Sequence, residues 1–293
     1  MPDKTRVGLI AGSGQLPLIF ARAMGRPGAP GLAAVVAHEG ESDPALANHT
    51  EALLWIRLGQ FARGLRFLKE QGVRDLVLVG GITKAQIWRA RPDRLALQMI
   101  WKLRGLDDDQ LLRAVGSELE RHGFRLCSVT DYLPELLAPE GCLSRRQPTA
   151  AEWEDIRHGW HAAKGLGALD IGQGVVVRRQ MVVAAEAMEG TDAMLMRAGQ
   201  LIGTQRGWAG EHNAVFVKVV KPTQDLRLDL PTIGPKTLET MARAGIRVAA
   251  IEAGGAILLD PEATRQMADR HDLVLLGLTA TSLERSGWKG SES

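Results

Sequence analysis

Short apolar runs that alternate with amphipathic segments of helical period constrain this chain more than any other feature. Runs of this kind at Val7–Ala11, Leu32–Ala37, Leu76–Val79 and Leu126–Val129 read as strands. The segments near Leu16–Ala23, Gln60–Glu70, Pro92–Leu103 and Asp108–His122 read as helices. Each strand is apolar on both faces, as a parallel sheet covered by helices on both sides requires. Gly72 and Gly123 stand where two of the helices must stop and reverse.

Periodicity fades between Leu133 and Pro148, where Pro134, Pro139, Gly141 and Pro148 interrupt the chain. A helix over Ala151–Lys164 follows, then strands at Gly174–Val177, Met181–Ala185, Ala214–Val219, Val248–Ile251 and Leu273–Leu276. Helices near Ala193–Leu201, Lys236–Ala244 and Glu262–Arg270 separate them, which predicts a second α/β domain of mixed strand direction. At 293 residues the chain exceeds the usual single domain of about 100–200. The expected division is a first domain over 1–132, a linker over 133–150, a second domain over 151–285 and a tail over 286–293.

Charge narrows the partners. Lysine and arginine number 36 against 34 acids, a formal charge of +2, too small for the diffuse footprint of nucleic-acid binding. Two cysteines, Cys127 and Cys142, cannot build a disulfide framework or a four-thiolate zinc site, so a reducing cytoplasm is expected. The first residues, MPDKTRVGLIAGSG, lack the core of a signal peptide, and no run approaches the roughly 18 apolar residues of a membrane span.

Gly12-Ser13-Gly14 sits between the first strand and a helix beginning near Gln15, where backbone N–H groups and a helix N-terminus can meet a phosphate. Pro17 replaces the third glycine of the dinucleotide fingerprint, so a plain tight turn is the competing reading. A nicotinamide site would need an acid after the second strand; Glu39 is late for it, and nothing else supports hydride transfer. Gly80-Gly81-Ile82-Thr83-Lys84 follows another strand, placing its donors at the same sheet edge. Thr83 reads equally as a ligand donor or a helix cap, and so does the pair Thr130-Asp131.

Between Pro222 and Pro231, Asp225, Arg227 and Asp229 alternate with Leu226, Leu228 and Leu230. In an extended chain the three charges share one face, close to Lys218 and Lys221. That grouping suits neutralisation of a pyrophosphate with magnesium, against the alternative of a solvated edge strand. Glu186 and Glu189 beside Gly190 make a second oxygen-rich cluster, with Thr191 and Asp192 open to a helix-capping role. Asp107-Asp108-Asp109 reads as helix-terminal charge, and His158 and His161 lack companion ligands.

In the order of these motifs the chain resembles the UDP-2,3-diacylglucosamine pyrophosphatases of lipid A biosynthesis that are unrelated to calcineurin-like metallophosphoesterases. The resemblance rests on GLIAGSGQLP at Gly8–Pro17, DDDQLLRAV at Asp107–Val115, LPELLAPEGCL at Leu133–Leu143 and DIGQGVVV at Asp170–Val177. It continues through EAMEGTDAML at Glu186–Leu195, KPTQDLRLDLPTIGPKT at Lys221–Thr237 and EAGGAILLD at Glu252–Asp260. Two places depart from it: Ile82-Thr83-Lys84-Ala85 replaces a more basic, proline-containing run, and Arg178-Arg179-Gln180 fills a turn that commonly holds glycine.

The resemblance implies a Rossmann-like N-terminal domain, a distinct C-terminal α/β domain and a substrate cleft between them. It implies hydrolysis of UDP-2,3-diacylglucosamine to UMP and 2,3-diacylglucosamine 1-phosphate with magnesium, water attacking the sugar-linked phosphorus. On that reading Asp225, Lys221 and Arg227 are the catalytic candidates. Asp225, Glu186, Glu189, Asp192 and Asp229 are the metal candidates. Gly12, Ser13, Gly14, Gln15, Gly81, Thr83, Thr130, Asp131, Gln173, Thr191, Lys218 and Gln224 are the substrate-binding set. The expected setting is cytoplasmic, with peripheral contact at the inner membrane and a homo-oligomer as further expectations. A noncatalytic nucleotide or lipid binder and a UDP-sugar transferase are the alternatives.

Overall fold

The computed structural model describes residues 6–81, 92–97, 108–204 and 213–285. The chain divides into two compact units: Met1–Pro134 together with Asp225–Asp229, and Glu135–Gln224 together with Leu230–Ser293.

The first unit runs β1 (Val7–Ala11), α1 (Leu16–Met24), β2 (Leu32–His38), β3 (Leu53–Ile56), α2 (Phe61–Glu70), β4 (Asp75–Val79), α3 (Asp108–Arg121) and β5 (Arg125–Cys127). Its five strands are ordered β3-β2-β1-β4-β5 and every pairing is parallel. All seven residues of β2 are buried, as the two-sided apolar pattern demands. Chain order reverses between β1 and β4, so the crevice at their carboxyl ends is the topological switch point of an open α/β sheet. Leu9, Phe20, Leu68, Leu76 and Leu119 are fully buried there, and truncating any one of them to alanine costs about 2–5 kcal/mol.

The second unit contains β6 (Gly141–Cys142), α4 (Ala150–Ala168), β7 (Gly174–Arg178), β8 (Met181–Ala185), α5 (Thr191–Thr204), β9 (Ala214–Lys218) and β10 (Thr232–Ile233). After these come α6 (Pro235–Ala244), β11 (Ile246–Glu252), β12 (Ile257–Leu258), α7 (Pro261–Arg270), β13 (Val274–Leu278) and α8 (Ala280–Arg285). Six strands form a sheet ordered β6-β13-β11-β9-β7-β8, and β10 pairs with β12. The mixed direction is as expected: β9, β11 and β13 are parallel, while β6, β7 and β8 each run against a neighbour. Met194, Phe216, Leu238 and Met241 fill the core on one face; Ile156, Trp160, Val175 and Val217 fill the other.

Several local readings need correction. Leu126–Val129 stops early as a strand, because the Ser128 hydroxyl accepts from Thr130 N and turns Val129–Asp131 into a single 3-10 turn. The segment expected to link the domains carries local structure of its own: Pro134–Leu136 forms a 3-10 turn and Gly141–Cys142 adds a short edge strand to β13. Asp225–Leu230 is not extended. Residues 226–228 form a turn closed by Leu228 N to Asp225 O at 2.9 Å, so the three charges do not line one strand face. β3 escaped the sequence reading because its four residues carry too little period to stand out. The expected helix over Pro92–Leu103 is described only at 94–97, where it is helical; Thr83, Lys84, Asp107 and the tail 286–293 lie outside the described residues.

Candidate functional site

At the switch point of the first unit the two glycine turns grip each other. Ser13 N donates to Gly81 O at 2.7 Å, Gly81 N donates to Ser13 O at 3.3 Å, and the Ser13 hydroxyl donates to Gly81 O at 2.9 Å. Gly12 N is spent on Val79 O at 2.8 Å. A Cβ on Gly12 would lie 2.4 Å from Gly81 O, and one on Gly80, whose φ is +94°, would lie 2.6 Å from Ser13 O. Close backbone approach is therefore why glycine stands at both positions, and the amides of Gly12 and Ser13 face protein carbonyls. Gly14, also at φ +94°, has open space around it, and Gln15 begins α1 without a side-chain cap.

Sequence reasoning missed the buried pair beside this turn. His38 Nδ1 lies 2.9 Å from Ala11 O, to which the Ser42 hydroxyl also donates at 2.7 Å, and His38 N donates to that hydroxyl at 2.9 Å. A histidine ending an otherwise apolar strand, with a serine four residues on, was the available signal, whereas Glu39 pairs with Arg57 at the surface, 3.0 Å away. Thr130 and Asp131 resolve into local roles. Asp131 Oδ2 accepts Ser128 N at 2.9 Å in a capping box, and Thr130 Oγ1 lies 2.8 Å from Ser128 Oγ.

The turn over Asp225–Asp229 belongs to this first unit. Asp225 Oδ1 accepts Arg227 N and Arg227 Nε, both at 3.0 Å, and Oδ2 accepts Arg227 Nη2 at 2.7 Å. Arg227 Nη1 also reaches Glu120 at 2.7 Å. Hydrogen bonds from Arg227 hold the Asp225 carboxyl below the ordinary carboxylate range, overcoming the upward push of partial burial. The same partners raise the Arg227 pKa further. An anion so well satisfied is a weak base, suited to orienting a neighbour and not to taking its proton.

In the second unit the antiparallel β7 and β8 bring distant residues to the carboxyl end of β9. Gly174 pairs with Lys218 and Val175 with Ala185, so Gln173, Glu186 and Lys218 share one sheet edge. Lys218 Nζ donates to Thr191 Oγ1 at 2.9 Å and to Thr232 O at 3.2 Å, and the Thr191 hydroxyl donates to Glu186 Oε1 at 2.5 Å. Beside it Lys221 pairs with Asp170 at 2.6 Å, and Gln224 Oε1 accepts Lys221 N at 3.1 Å. Asp170, whose φ of +52° is unusual for a non-glycine residue, was not singled out by the sequence. Glu189 pairs with Arg197 at 2.5 Å, which pulls its carboxyl pKa down, and Asp192 pairs with Lys236 at 3.1 Å.

With this geometry in view, residues 6–136 match the family model of the LpxI N-terminal domain and residues 139–276 that of the LpxI C-terminal domain. The chain belongs to the LpxI family. An LpxI relative from Caulobacter vibrioides (strain ATCC 19089 / CIP 103742 / CB 15), named UDP-2,3-diacylglucosamine pyrophosphatase LpxI, is 36% identical over 279 residues, covering 93% of this chain and 97% of its own. Among solved structures, L-threonine dehydrogenase from Phytophthora infestans is 13% identical with a TM-score of 0.26, over 49% of this chain and 41% of that one, a likeness too slight to bear on the fold.

For this LpxI chain the expected magnesium ligands separate into two sets. Asp225 and Asp229 lie in the first unit, and Glu186, Glu189 and Asp192 in the second. Among the described residues no group of three or more acids, histidines or cysteines is placed to hold a metal ion. Asp225, Glu189 and Asp192 are each ion-paired, and Glu186 lies one hydroxyl away from the Lys218 ammonium. Within either unit taken alone, the described acids are engaged by neighbouring side chains and form no preassembled magnesium cluster. Among the described residues no helix is long and apolar enough to cross a membrane.

Proposed function

We propose that this LpxI-family chain hydrolyses the pyrophosphate bond of UDP-2,3-diacylglucosamine, releasing UMP and 2,3-diacylglucosamine 1-phosphate. The observation that carries this reading is the family match across both domains, with 36% identity over 93% of the chain to a relative named for that activity. Water attacks the sugar-linked phosphorus, its oxygen stays on the sugar phosphate, and the bond from that phosphorus to the bridging oxygen breaks so that UMP leaves. Asp225 orients the attacking water, while Arg227, paired with it in the same turn, offsets charge developing on the phosphate oxygens.

Magnesium is a separate part of the proposal. Magnesium commonly binds through one or two carboxylates plus substrate phosphates, which suits acids that form no cluster of their own. Peripheral membrane contact is a further part, supported by Leu169, Ile171 and Met188, large apolar residues that are 73%, 51% and 80% exposed. Purified protein incubated with UDP-2,3-diacylglucosamine in isotopically labelled water is the deciding assay. Label is expected in the diacylglucosamine phosphate; label in UMP alone overturns the direction of attack, and absence of turnover overturns the activity.

A further inference from the structure

Three consecutive residues of the Asp225–Asp229 turn are each fastened within the first unit. Leu226 O accepts the Ser128 hydroxyl at 3.1 Å, and Arg227 Nη1 reaches Glu120 on α3 at 2.7 Å. Leu228 packs against the core cluster that holds Leu76, Leu119 and Leu126. The residues on either side of the turn, Gln224 and Leu230, are counted with the second unit. Side chains, and not the flanking chain, therefore hold the turn in place.

A glycine makes the socket for Leu228. Gly116 is buried in the middle of α3, where glycine weakens a helix relative to alanine. A Cβ there would lie 3.0 Å from Leu228 Cδ1 and 3.0 Å from Leu126 Cδ1, so the missing side chain is the space the leucine methyls fill. The Arg227–Glu120 pair, with side chains 44% and 42% exposed, holds only weakly by itself. Leu228 is thus the anchor, and Glu120 sets the direction of Arg227. Both effects reach Asp225. Leu228 N and Asp229 N donate to Asp225 O at 2.9 and 3.1 Å, so seating Leu228 fixes the Asp225 backbone. Arg227, held at Nη1 by Glu120, fixes the carboxylate through Nε and Nη2.

We propose that Gly116, Glu120 and Leu228 are positioning residues for the hydrolysis: the α3 socket seats the turn and so holds Asp225 where it orients the attacking water. None of the three touches the reacting atoms. The inference rests on the reading of Asp225 given above and deepens it.

Steady-state hydrolysis of UDP-2,3-diacylglucosamine by the full chain tests it, with each substitution made in the wild-type and in an Asp225→Ala background. Leu228→Ala and Gly116→Leu are each expected to lower wild-type kcat about tenfold or more with KM within about twofold, because a displaced carboxylate loses its hold on water while substrate contacts remain. Glu120→Gln should lower kcat about fivefold or less. In the Asp225→Ala background none of the three should lower kcat further, since groups that act through one residue lose their effect with it. Thermal midpoints report folding, and Leu228→Ala, which only removes partly buried methyls, carries the test where the larger Gly116→Leu does not fold. Unchanged kcat in folded Leu228→Ala, or equal losses in the two backgrounds, overturns the positioning role and leaves Asp225 in the mechanism. Near wild-type turnover in Asp225→Ala alone removes the reading of Asp225 instead, and the positioning role with it.

Discussion

Arg227 closes back on Asp225, two residues before it, through two guanidinium bonds of 3.0 and 2.7 Å and one from its own backbone N–H. The carboxylate is thereby kept ionised below the usual Asp range near 3.9. Asp225→Asn or Asp225→Ala is expected to lower kcat by roughly 100-fold or more in a folded protein, the size of one positioning or electrostatic contribution. Arg227→Lys loses the two-pronged grip, so the acid limb of the pH–rate profile should move up towards the ordinary Asp value. Near wild-type turnover in Asp225→Asn removes this residue from the mechanism.

The contact of Gly12 with Gly81 O makes a steric prediction. Gly12→Ala must push two backbones apart at the sheet's switch point, since the added carbon would start 2.4 Å from that oxygen. A loss of about 3 kcal/mol or more is expected, comparable to overpacking in a core. Gly14→Ala meets no neighbour and carries only the strain of its positive φ, about 1–2 kcal/mol. Denaturant midpoints of the two variants should differ in that order.

Asp75 is buried at the start of β4, accepting Arg125 Nε at 2.8 Å and the Tyr132 hydroxyl at 2.9 Å. Burial pushes its carboxyl pKa up, but the Arg125 and Tyr132 hydrogen bonds outweigh burial and hold it below the usual value. A folded pKa below the unfolded one stabilises the fold above the unfolded value and loses that contribution as pH falls through the folded one. Asp75→Asn should therefore be less stable at neutral pH and show a shallower loss of stability on acidification. Urea midpoints measured from neutral to below about pH 4 check this.

The turn between β7 and β8 holds Arg179 at φ +52° and Gln180 at φ +57°, where glycine or asparagine is the usual choice. The buried Asp155 carboxylate accepts both of their backbone N–H groups, at 2.9 and 2.5 Å, and so fixes a conformation these side chains disfavour. Asp155→Ala should cost about 3 kcal/mol, the loss of charge-assisted hydrogen bonds. That cost should shrink when Arg179→Asn and Gln180→Gly are also present, a coupling readable from a thermodynamic cycle.

The proposed binding of magnesium chiefly through substrate predicts that the metal alone leaves no mark on the free protein. Chelation is expected to abolish turnover, and added magnesium to restore it, while magnesium alone leaves the thermal midpoint of the ligand-free chain unchanged. A clear stabilisation by the metal alone would point to a dedicated protein site, since binding to the folded state raises stability by mass action.

Much of the fold was legible in the residues because the signals for it are local. β1 and β8 occur at Val7–Ala11 and Met181–Ala185 as read, and the reversals at Gly72 and Gly123 carry the positive φ that glycine tolerates. The candidate site was legible only as a list of residue types. Lys221 shows nothing of Asp170 in the sequence, nor does Arg227 of Glu120, because these pairs close through space between segments far apart in the chain.

By itself, the sequence determined the sequence-local periods, the glycine positions and the motifs by which the chain resembles its family. Tertiary structure alone decided that Asp225–Asp229 turns and joins the first unit, that Gly12 and Gly80 serve backbone approach, and that Glu186 faces Lys218 through Thr191. The reason is physical. Period and turn preference act within a few residues, whereas which buried charge meets which hydroxyl is set by strand pairing, and antiparallel pairing of β7 with β8 and β9 is not written in any one segment.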